Sequence, residues 1–142
     1  MSFQWLDMRI SEETDRRQKE AQAIERLPQI MDEVHRAVAD CVDAYVEAFG
    51  KESIELSYFM HKIRVNVREL KDGKWEKAAN VEVTPIPKLP GIHIERAEGV
   101  LDIGVGLMPG DRIFYKDGEK FLEMEELTRR ILDKSLFPKL GE

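Results

Sequence analysis

From Leu27 to Phe49, apolar side chains recur at alternating steps of four and three: Leu27, Met31, Val34, Val38, Cys41, Tyr45 and Ala48. Ile30, Ala37, Val42, Val46 and Phe49 widen that seam, while Asp32, Glu33, Arg36, Asp40, Asp43 and Glu47 take the remaining surface. This is the pattern of a helix with one dry side. Pro28 suits a first turn, where its missing N–H is no loss, and Gly50 stands where a helix end favours a positive φ. A face this broad must be covered, so what lies across from it decides the fold.

The preceding stretch has a different character. Phe3, Trp5, Leu6, Met8 and Ile10 make a compact apolar start, after which Ser11 to Arg26 is almost uniformly polar. Ser11 is a candidate N-cap, and Glu12 with Arg16, Glu13 with Arg17 and Asp15 with Lys19 stand four apart, as helix-surface ion pairs do. The expectation is an apolar tip and polar helical arm over residues 1–26, followed by one α+β domain over residues 27–142.

After Gly50 the period drops to two. Ile54, Leu56, Tyr58 and Met60 share one parity and Ile63, Val65 and Val67 the other, which calls for a bulge or break between Phe59 and His61. A three-residue loop, Lys71 to Gly73, is expected to oppose Ile63 to Val81 and Val65 to Ala79. Pro85, Pro87 and Pro90 cannot donate into a ladder, so Thr84 to Gly91 reads as an extended crossing at the middle of the sheet. A turn at Glu98 and Gly99 would place Ile94 opposite Ile103 and Glu95 opposite Asp102. A last hairpin at Asp117 and Gly118 would place Phe114 opposite Phe121. Met124, Leu127, Ile131 and Leu132 return to helical spacing before Pro138. The fold class that follows is α+β in two layers: a long N-terminal helical segment on an antiparallel meander of about five strands, with a short C-terminal helix.

Composition narrows the function more than the fold. The chain has 142 residues, 42% hydrophobic and 35% charged, which suits one folded domain. A net charge of -6 argues against general duplex binding, so no nucleic-acid partner is expected. A single cysteine, Cys41, leaves no internal disulfide and no cysteine-based zinc site. No apolar run approaches the ~18 residues of a membrane span, so no membrane association is expected, and the lone cysteine makes the reducing cytoplasm the expected location.

The best polar constellation is His93, Glu95 and Asp102, which alternation puts on one sheet face; two carboxylates and an imidazole could hold a divalent metal or share a proton. The plainer account is a solvated outer face. Gly104, Gly106 and Gly110 lack the spacing of a dinucleotide loop and Pro109 intervenes. Cys41 lies on the apolar seam, which favours an inert thiol. Lys62, Arg64 and Arg68 form a basic strip that an ordinary charged face also explains.

Three function classes are therefore carried forward. The first is a non-enzymatic protein–protein assembly module, self-associating as a homodimer through Phe3, Trp5, Leu6, Met8 and Ile10, with Trp75 as a further interface aromatic. The second is a small-molecule pocket between helix and sheet, lined by Tyr45, Phe59 and Ile103. The third is a metal-assisted or acid/base enzyme built on His93, Glu95 and Asp102. No catalytic motif stands out, and no cofactor is implied.

Overall fold

The dry side of the central helix is covered, and pleated strands do the covering. The computed structural model describes Met1 and residues 3–140. Helix α1 (Gln4–Glu25) is followed after one residue by α2 (Leu27–Phe49). Seven strands come next: β1 (Ile54–Phe59), β2 (Lys62–Lys71), β3 (Lys74–Ile86), β4 (Gly91–Arg96), β5 (Gly99–Met108), β6 (Arg112–Asp117) and β7 (Lys120–Leu122). Each pairs antiparallel with the next, in chain order, and α3 (Met124–Leu136) is the last element among the described residues. The fold is α+β, an antiparallel sheet with helices on its inner face.

Helix α2 buries Leu27, Ile30, Met31, Val34, Val38 and Val42. These meet Ile63, Val65, Val81, Val83, Ile92, Ile94, Ile103 and Val105 from the sheet, with Leu127, Ile131 and Leu132 from α3. Fully burying side chains of this size contributes ~1.5–3 kcal/mol each before conformational entropy is set against it. Pro28 stands in the first turn of α2, and Gly50 ends the helix at φ 97°, its N–H donating to the Val46 carbonyl at 2.7 Å.

Several local expectations are corrected. Among the described residues there are seven strands, not about five, chiefly because the parity break is a complete hairpin: Met60 and His61 both take positive φ (51° and 60°) and turn β1 back into β2. The next hairpin uses a two-residue turn, Asp72 and Gly73, with a bulge where β2 passes Val67/Arg68. The bulge restores the apolar match in the other direction, so Ile63 faces Val83 and Val65 faces Val81. Strand β3 runs through Pro85, which pairs with Ile92, and the chain crosses only after Ile86. The β4–β5 turn lies at Ala97 and Glu98, so Ile94 faces Leu101 and His93, not Glu95, faces Asp102. In the last hairpin Lys116 faces Phe121, yet the Phe114 and Phe121 rings still meet edge to face at 5.3 Å on the diagonal.

Helix α1 is corrected too. It starts at Gln4 instead of being capped at Ser11, because no helix breaker separates the apolar start from the polar stretch and Asp7 suits the first turn. Glu13 and Arg17 pair at 3.2 Å as expected, but Arg16 bonds Glu13 and Glu20 in place of Glu12. The two hydrogen-bonded arginines, Arg16 foremost, hold the Glu13 carboxyl down at about 2. At the joint, Arg26 keeps right-handed dihedrals (φ -90°, ψ -1°) and its guanidinium donates to the Asp111 carbonyl at 2.7 Å. The two helices therefore run on through a kink, with Ala23 buried just before it.

Candidate functional site

Among the described residues, every one up to Glu12 is exposed. Within that stretch stand Phe3, Trp5, Leu6, Met8 and Ile10, at 50, 66, 40, 58 and 56% exposure. Phe3, Leu6 and Ile10 recur at steps of three and four and share one side; Trp5 and Met8 share another. The polar contacts of this half of α1 stay within the helix, as in the Arg9–Glu12 pair at 2.9 Å and the Thr14 hydroxyl donating to the Ile10 carbonyl at 2.8 Å. Further along, Arg16, Lys19, Glu20 and Ala23 lie beside Pro90 and the Val105–Leu107 part of β5. The exposed tip thus precedes the part of α1 that packs beside β5, and Arg26 is held by the β5–β6 turn.

Trp75, exposed and paired with Leu70 near the tip of the β2–β3 hairpin, stands at the other end. In a meander, successive turns alternate between ends, and the β2–β3 turn is opposite the β5–β6 turn. It does not join the patch on α1.

The triad on the outer face forms a cluster in which His93 lies between the two carboxylates. His93 Nδ1 lies 2.6 Å from Asp102 Oδ1, and Nε2 lies 3.3 Å from Glu95 Oε1. With both ring nitrogens turned to carboxylates the imidazole has no lone pair to spare while it is protonated. The Asp102 hydrogen bond first, and the Glu95 bond second, raise the His93 pKa. Among the described residues no group of three His, Cys, Asp or Glu side chains is arranged to hold a metal ion. The basic strip is engaged as well: Arg64 and Lys62 bind Glu82 at 2.8 and 3.4 Å, and Arg68 binds Glu55.

Tyr45, Phe59 and Ile103 are not brought together. Ile103 is in the core at 1% exposure, Phe59 ends β1 at 77%, and Tyr45 lies elsewhere, in a groove between α2 and α3. That groove encloses about 450 Å³. Cys41, Ala44, Ala48 and Phe49 line one wall and Thr128, Leu132, Leu136 and Phe137 the other, with Glu125, Arg129 and Asp133 at the rim. The Tyr45 ring sits 4.8 Å from Phe49 and 5.9 Å from Phe137, and burial pushes its hydroxyl pKa up. Ala44 and Ala48 keep the groove open. Sequence reading missed it because the α2 seam marks Cys41, Tyr45 and Ala48 as a face to be covered without showing that α3 stands beside them and leaves a groove.

A second cluster was also missed. The Tyr58 hydroxyl donates to Asp32 at 2.6 Å, stands 3.3 Å from His61 Nδ1, and its ring stacks on His35 at 4.2 Å. Burial, then Asp32, raise the Tyr58 pKa. This clasp ties the edge hairpin β1–β2 to α2. Its one signal in the sequence is His61 at the parity break, a residue type that tolerates positive φ better than most.

No helix among the described residues is long and apolar enough to cross a membrane. Comparison with known proteins yields no match to a family model, to a curated protein or to a solved structure.

Proposed function

We propose that the protein is a self-associating assembly module whose N-terminal helix docks on a second copy of the chain. The observation that carries this reading is the apolar tip of α1: five large hydrophobic side chains within residues 3–10, all exposed at 40% or more. Single exposed hydrophobics need no explanation, but five within eight residues, on both sides of one helix end, do. Taking ~150–250 Å² for a large aromatic side chain, and somewhat less for an aliphatic one, the tip leaves on the order of 500 Å² of apolar surface in water. Withdrawing it at ~25 cal/mol per Å² is worth roughly 10 kcal/mol before the costs of association.

Light scattering on the full chain tests the proposal against a variant carrying Trp5→Gln, Leu6→Gln, Met8→Gln and Ile10→Gln. Glutamine keeps the helix propensity and none of the four side chains is buried. The full chain is expected at twice the mass of the variant, with the variant as well folded by circular dichroism. Equal masses for the two would remove the proposal.

A further inference from the structure

We infer that the α2–α3 groove is a binding site for an uncharged, largely aromatic small molecule that carries one hydrogen-bond acceptor. The inference stands apart from the self-association of α1, because the groove takes no residue from the tip. Its volume of about 450 Å³ falls within the ~300–1,000 Å³ of small-molecule sites.

Charge decides the first property of the ligand. The ionisable groups Glu125, Arg129 and Asp133 stand at the α3 rim, where Arg129 and Asp133 are paired with each other at 3.4 Å. An anion would meet the two acids there and a cation would meet Arg129. Deeper in, Ala44, Ala48, Leu132 and Leu136 offer no counter-charge, and a charge that leaves water without one is costly.

Shape decides the second. Tyr45, Phe49 and Phe137 gather at one end, with the Tyr45 ring 4.8 and 5.9 Å from the other two. Phe49 and Phe137 are still 55 and 37% exposed, so they have ring surface left to offer a flat guest. Ala44 and Ala48, one helical turn apart, carry nothing beyond Cβ, and that leaves depth on the α2 wall for such a guest to lie in.

The third property follows from the Tyr45 hydroxyl. The residue is half-buried, burial holds the pKa of the hydroxyl up, and among the described residues nothing accepts its proton. Thr128, on the facing wall, already donates to the Glu125 carbonyl at 2.8 Å. A ketone or ester oxygen in the groove would complete Tyr45 and fix the orientation of the guest.

The chain supplies its own reporter, since its only cysteine, Cys41, lines the groove. The full chain is titrated with the uncharged naphthyl ketone 6-propionyl-2-(dimethylamino)naphthalene, whose emission moves to shorter wavelength out of water. Saturable binding at one site per chain is expected, with a dissociation constant on the order of 10–100 µM. The reaction of Cys41 with a maleimide should slow in proportion to occupancy. Tyr45→Phe should weaken binding about 3–10-fold, the worth of one hydrogen bond. Ala44→Trp, which fills the groove from an exposed position, should abolish both binding and protection, and the four-glutamine variant of the α1 tip should keep them. No saturable binding, binding indifferent to Ala44→Trp, or binding lost with the tip side chains would overturn the inference. So would a Cys41 reaction that slows with protein concentration alone, since a second copy would then cover the groove.

Discussion

Gly91 and Gly104 face each other across β4 and β5, and the structure expects opposite outcomes from the same substitution at the two. A Cβ on Gly91 would stand 2.9 Å from the Ile103 carbonyl oxygen and 3.4 Å from that of Leu89; on Gly104 the nearest atom is the Lys116 carbonyl oxygen, at 3.6 Å. Backbone oxygens in a paired strand cannot swing aside as the end of a side chain can. Gly91→Ala must therefore move β4 or β5 by about half an ångström to recover ordinary contact. Overpacking of this kind costs ~1–3 kcal/mol. Against it, alanine restricts the unfolded chain and returns ~0.4–1 kcal/mol. The net expectation for Gly91→Ala is a loss of roughly 1–2 kcal/mol. Gly104→Ala meets no clash and keeps only the favourable part, so it should be neutral or stabilising by up to ~1 kcal/mol. Urea denaturation followed by far-ultraviolet circular dichroism measures both against the parent chain. Equal effects at the two positions, or a larger loss at Gly104, would refute the β4–β5 register from which the contrast is worked.

Other expectations follow from the polar clusters and the core. The His93 pKa is raised in the folded state, so its contribution to stability is complete below its ordinary value of 6.5 and fades as pH rises through the folded-state value. Asp102→Asn should flatten that dependence, and denaturation midpoints between about pH 6 and 8 in both proteins decide it. Tyr58→Phe removes the hydroxyl shared with Asp32 and His61 and should cost about 1 kcal/mol; hydrogen exchange should quicken in the β1–β2 hairpin before it does in β4, and uniform quickening would count against a local clasp. Ile30→Ala, at a fully buried position on α2, should cost ~2–5 kcal/mol by chemical denaturation, and a loss below 1 would mean that α2 is not the helix on which the sheet packs.

Much of the architecture is written in local periodicity. The seam of α2, the switch to alternation after Gly50 and the seam of α3 depend on where each backbone type points its side chains, and that geometry is the same in any fold. The common face of His93, Glu95 and Asp102 was legible for the same reason. Which of them touch was not, because moving a register by two residues leaves every side chain on its original face. Apolar alternation cannot distinguish Ile92 opposite Val105 from Ile92 opposite Ile103, the pairing that forms.

What the chain determined unaided is thus the kind of each element and the face each residue takes, since neighbours a few residues apart are enough to impose them. Tertiary packing decided the rest. It chose the two-residue turns at Met60–His61 and Asp72–Gly73 with a compensating bulge, set Tyr58 against Asp32, and opened the α2–α3 groove. These features lie between elements distant in the chain, where small differences in how two surfaces fit outweigh local preference.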